Sequence, residues 1–196
     1  MEQRPHIRPC RPEDQARMRE ICAVCDDPSR PERLSWVLPM YLDYYVERCA
    51  STCFVAADES DRPVGYILCA PSYKAYRKDF RKSGTLKTVF SHSFIAWFCW
   101  LVQPLVERRF HKPPYLAHLH IDIFPAYQRM GLGHELMDAL VGKLSELSVP
   151  GVMLGCLAAN EKGRRFYESY GFTALGTAPG EICYGLAVGP DAKKSE

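Results

Sequence analysis

The apolar positions of this chain change period several times, and each change marks an element. Runs in which apolar residues alternate or crowd together predict strands over His6–Cys10, Thr52–Ala57, Val64–Cys69, Tyr115–Phe124, Val152–Leu157, Phe172–Thr177 and Ile182–Val188. Between them, helical patterning predicts helices over Arg11–Cys25, Arg33–Arg48, Phe94–Arg109, Leu132–Leu147 and Asn160–Tyr170. Pro12, Glu13 and Asp14 suit a first helical turn, Pro39 kinks or divides the second helix, and Gly171 caps the last. Asp58–Pro63 and Ala178–Glu181 join neighbouring strands as hairpins. This alternation predicts one α/β domain over residues 1–190, with a mixed, mostly antiparallel central sheet and helices on both faces. It carries a helical insertion at about 72–113 and ends in a flexible tail over 191–196.

A length of 196 residues, 47% hydrophobic and 24% charged, supports a sizeable core without staples. The longest apolar run, Phe94–Val102, is too short to span a bilayer, so no membrane partner is expected. The net charge of +2 conceals an uneven spread: residues 72–113 hold nine Lys or Arg against two acids, a local +7 on a body of −5. Such a segment either faces an anionic ligand or is a solvated surface. Lys74, Arg77, Lys78, Arg81 and Lys82 fall at helical spacing, one charged face that would attract an anionic acceptor. With the whole chain nearly neutral and no nucleic-acid motif, nucleic-acid binding is not expected. The same segment holds nine of the 23 aromatics, among them Tyr73, Tyr76, Phe80, Phe90, Trp97 and Trp100. They wall a pocket, form a homodimer face, or bury one another. Nine scattered cysteines and an opening, Met1–Pro5, with no apolar core point to reduced thiols in a cytoplasmic protein. Cys22-Ala-Val-Cys25 has metal-ligand spacing, but no second pair completes a site, so no metal is expected.

The densest signal is Gln128-Arg-Met-Gly-Leu-Gly-His134, between a strand and an amphipathic helix. A strand that turns through close glycines into a helix aims unpaired N–H groups and a helix dipole at one place, which favours phosphate. The order strand, Gln-x-x-Gly-x-Gly, helix, short strand, Asn160-x6-Tyr167, Gly171-Phe172, hairpin resembles the GNAT superfamily of acetyl-CoA-dependent N-acetyltransferases. Ile7-Arg8-Pro9 followed by Pro12-Glu-Asp is similar to that family's start. The likeness is loose over 5–71 and close over 115–188, with no counterpart of 72–113 in the minimal fold. Members similar to the acetyltransferase-like C-terminal domain of O-GlcNAcases stand nearest in feel.

The resemblance implies acetyl-CoA as cosubstrate and assigns parts. Amides of Arg129, Met130, Gly131, Leu132, Gly133 and His134 would cradle its diphosphate, the glycines leaving room for the backbone to approach. Gln128 and Arg129 would add side-chain contacts. Backbone groups of Ile123 and Phe124 would pair with the pantetheine arm, and the Ile123 amide would polarise the thioester carbonyl. Asn160 would contact the coenzyme, Gly163 would permit its close approach, and Tyr167 would protonate the departing thiolate.

Alternation puts His118, His120, Asp122 and Phe124 on one face of their strand. Three ionisable groups there imply an accessible cleft. An amine acceptor must lose a proton before attack, work suited to His120 or Asp122; a structural His–Asp pair is the plainer reading. His118-Leu-His120 also resembles the paired histidines of arylalkylamine N-acetyltransferases, set one residue nearer the glycine loop. The expected function is direct acetyl transfer to a primary amine, small or peptidic. The alternatives are an inactive acetyltransferase-like interaction module and an acetyltransferase of protein lysines or N-termini.

Overall fold

Strands β1 (His6–Pro9), β2 (Phe54–Ala57), β3 (Pro63–Ala70), β4 (Ala117–Ile123), β5 (Gly151–Leu157), β6 (Thr173–Ala178) and β7 (Glu181–Ala187) form one sheet in the order β1-β2-β3-β4-β5-β7-β6. The computed structural model describes residues 4–82, 85–107, 109–178 and 180–189, without the side chains of 99, 100 and 103–107. The expected tail over 191–196, Pro179 of the last turn and the ring of Trp100 lie outside the described residues. Every neighbouring pair is antiparallel except β4 and β5, which a helical crossover joins.

One face of the sheet is covered by α1 (Gln15–Cys25), α2 (Leu34–Leu38), a π-helical turn (Pro39–Asp43), α3 (Tyr44–Arg48), α4 (Tyr73–Lys82), α5 (Thr85–His92) and α6 (Phe94–Glu107). Pro39 lacks the amide that the helical ladder needs, and the chain widens there into the π turn before α3 resumes. Within the 72–113 insertion the described residues form α4, which carries the spaced cations, α5, and α6, which overlaps the expected helix over Phe94–Arg109. Thr85, Thr88, Ser91 and His92 dilute the apolar pattern of α5, and α6 is described as far as Glu107, with the expected last residue Arg109 in a turn. Helices α7 (Leu132–Glu146) and α8 (Glu161–Tyr170) cover the other face, where Leu132, Leu136, Met137, Leu140 and Leu144 are buried against the sheet.

The register around β4 decides where a ligand fits. β3 follows it from Gly65↔Ile123 to Ala70↔His118, and β5 follows β7 over all seven of its residues. Between themselves β4 and β5 pair only at Ala117↔Val152 and His118↔Met153. Beyond His118 the two strands diverge, leaving a wedge at their carboxyl ends, where α7 and α8 begin. Gly155 and Leu157 of β5 are accordingly exposed.

Candidate functional site

Hydrogen-bond direction alternates along an antiparallel strand. The Phe124 amide donates to Val64 O at 2.9 Å, so the even-numbered residues of β4 bond to β3, and the amides of Ile121 and Ile123 face the wedge. Of the two positions expected to meet a pantetheine arm, Ile123 alone presents its N–H there; that of Phe124 is committed to β3. The Ile123 carbonyl is taken as well, accepting from Gln128 Nε2 at 2.9 Å and from Cys25 Sγ at 3.5 Å. Gln128, expected on phosphate, instead ties the glycine loop back to the strand end. Burial pushes the Cys25 thiol up to about 12, which makes it a neutral packing group rather than a nucleophile.

The loop itself is shaped by two left-handed residues, Arg129 at φ 64° and Gly131 at φ 85°. Leu132 anchors the start of α7 in the core, while Arg129 and Met130 stay exposed. Amides of Arg129, Met130, Gly131, Leu132 and Gly133 hydrogen-bond to nothing among the described residues; that of His134 donates to Gly131 O at 3.0 Å and leaves the expected cradle. Gly133 has a different reason from the one expected. A Cβ there would lie 2.9 Å from Phe166 Cε2, so the glycine admits the α8 ring rather than a ligand. The His134 ring packs edge-on against the same Phe166 at 5.3 Å. Missed by sequence reasoning is Arg4, whose Nη2 donates to Met130 O at 3.0 Å and pairs with Glu135 beside Gly131. Nothing in the sequence pattern joins positions so far apart.

On the other side of β4, His118, His120 and Asp122 share a face as predicted, and the structure separates their roles. Asp122 accepts from Tyr66 Oη at 2.5 Å across the β3 register, so the expected His–Asp pair does not form. Burial raises its carboxyl to about 6, against the opposing pull of the Tyr66 hydrogen bond. His118 is buried and bonded to Tyr45 Oη at 3.0 Å. His120 is half-buried, boxed edge-on by the rings of Tyr41 at 4.9 Å and Tyr45 at 5.2 Å. Desolvation, then the neighbouring His118, holds it well below the usual histidine range, so its ring is neutral. A cross-strand alignment of β3 on β4 is the signal that finds Tyr66.

Tyr167 on α8 is half-buried among Phe166, Phe172 and Tyr184. Its hydroxyl makes no hydrogen bond among the described residues, and burial, then Cys156 and Asp122, raise its pKa. Tyr167 belongs to the helix that begins at the end of β5, the strand on the far side of the wedge. Asn160 caps α8: its Oδ1 accepts from the Gly163 amide at 2.9 Å, leaving Nδ2 available. A Cβ on Gly163 would come within 2.7 Å of that Nδ2, so Gly163 makes room for the cap rather than for a coenzyme.

The sheet opens after its fourth strand, and amides at the next helix start are unpaired among the described residues, an α/β frame with a cleft at the strand ends. Residues 16–172 match the acetyltransferase (GNAT) family model, and the chain belongs to that family. Among solved structures it is similar to SsHAT, with 26% identity over 94% of this chain and 98% of that one and a TM-score of 0.81. It also resembles yncA of Salmonella typhimurium, solved with its cofactor acetyl-CoA (18% identity, 98% and 99% covered, TM-score 0.57). The NatC complex bound to Gag peptide and CoA is a third (14% identity, 95% and 98% covered, TM-score 0.59). The last two show likeness of fold alone. The finer likeness to O-GlcNAcases finds no support in these matches. No helix among the described residues is long and apolar enough to cross a membrane.

Proposed function

We propose that this chain is an acetyl-CoA-dependent N-acetyltransferase that moves the acetyl group directly onto a primary amine. The observation that carries the reading is the wedge between β4 and β5, with five amides over 129–133 that are unpaired among the described residues and with Asp122 on the β4 side of the opening. Those amides and the start of α7 would hold the diphosphate, with the Arg4 guanidinium adding positive charge at the same place. Ile123 N–H would donate to the thioester oxygen. Asp122, ionised above about pH 6, accepts the amine proton directly or through one water, and neutral His120 lies two residues along the same face as the second base. Tyr167, kept as a phenol by burial, returns a proton to the leaving sulfur. Asn160 Nδ2 would complete the coenzyme contacts. That the fold of yncA holds acetyl-CoA supports the choice of carrier.

The acceptor is a small amine or an exposed lysine or N-terminus of a peptide. A panel of both, assayed with acetyl-CoA by free-thiol release, decides. Thiol release that depends on one class identifies it; no release with any amine contradicts the reading.

A further inference from the structure

The five cations of α4 at positions 74, 77, 78, 81 and 82 line a cavity of about 510 Å³, within the size range of small-ligand sites. Three observations set it apart from a solvated charged face. First, Arg77 is only 8% exposed, with its guanidinium 5.9 Å from the Tyr73 ring, whereas Lys74, Lys78 and Lys82 are exposed and make no ion pair among the described residues. Second, the one acid of α4, Asp79, is engaged elsewhere, accepting from Tyr44 Oη at 3.0 Å. Third, Tyr73 and His111, which also line the cavity, stack at 3.5 Å and rest on the start of β4: their rings lie 5.7 and 6.2 Å from His118. His118 in turn packs 4.7 Å from His120. The cavity therefore lies one ring contact from the β4 face that carries Asp122, and two from His120.

We infer that this cavity binds an oxyanion, phosphate or carboxylate, carried by the acceptor at a distance from its reacting amine. The inference rests on the acetyl-transfer reading and adds the chemical class of the acceptor. Cations gathered at one concave site on a body that is otherwise net negative concentrate anions there. The same charge would orient the acceptor with its amine toward His120 and Asp122.

The test compares O-phosphoethanolamine and β-alanine with ethanolamine, and a lysine peptide flanked by phosphoserine with its serine counterpart. Each is titrated calorimetrically into the wild-type protein and the Lys74→Gln/Lys78→Gln/Lys82→Gln variant, then assayed for kcat/KM with acetyl-CoA. At least one anionic member should bind tenfold or more tightly than its neutral partner, and that lead should vanish in the triple variant and shrink with added salt. Which pair shows it distinguishes a small acceptor from a peptide. Equal binding within both pairs, or a preference that survives the triple variant, overturns the inference. The calorimetric comparison needs no acetyl-CoA, so failure of acetyl transfer would overturn the transferase reading and leave this comparison to be judged by itself.

Discussion

At the residue scale, the proposed chemistry rests on Asp122 and Tyr167. Burial raises the Asp122 carboxyl from 3.8 to about 6, so its ionised form, the proposed base, is lost as pH falls through that value. The expected kcat/KM profile is level above pH 7 and falls toward tenfold per pH unit below 6; a profile level down to pH 5 removes Asp122 as the base. The same shift has a stability consequence. A carboxyl whose folded pKa is raised destabilises the fold when ionised, above about pH 6, and ceases to do so once pH drops below its unfolded value. Asp122→Asn should therefore raise unfolding free energy by about 1–3 kcal/mol at pH 8 and by less at pH 5, while transfer slows. Chemical denaturation at the two pH values checks it. Tyr167→Phe should lower turnover at least tenfold, about 1.4 kcal/mol of barrier, with coenzyme affinity little changed. Unchanged turnover would take Tyr167 out of the mechanism.

At the scale of elements, much of the arrangement was legible because it is local. The strand–glycine–helix turn, the shared face of His118, His120 and Asp122, the break at Pro39 and the capping Gly171 all follow from spacing within one element. What spacing hides is cross-element contact. Tyr66 bonds Asp122 through strand register, Arg4 meets Glu135 across most of the chain, and Phe166 fills the space beside Gly133. Glycines assigned to coenzyme clearance accordingly divide: Gly131 serves a left-handed turn, while Gly133 serves α7–α8 packing. Gly133→Ala should then destabilise the fold by about 1–3 kcal/mol, and Phe166→Leu in the same chain should recover part of that loss. Absence of coupling between the two substitutions in thermal unfolding would show that the ring contact does not explain the glycine.

For the whole molecule, site and fold share one cause. β4 keeps its register with β3 while β5 keeps its own with β7, and the wedge between them opens at the strand ends, where the 129–133 loop follows β4 and α8, which carries Tyr167, follows β5. A ligand that binds there stabilises the folded chain by mass action, about 2.7 kcal/mol at a hundred times its Kd. The central claim, that the amides of 129–133 grip an acyl carrier, is tested most directly by calorimetric titration with acetyl-CoA of the wild-type chain and of Gly131→Val. The variant's β-branched residue resists the φ of 85° that shapes the loop. One site per wild-type chain, with heat and a raised melting temperature that the variant loses while remaining folded, is the predicted result. No heat and no thermal stabilisation of the wild-type protein at millimolar acetyl-CoA would contradict the account.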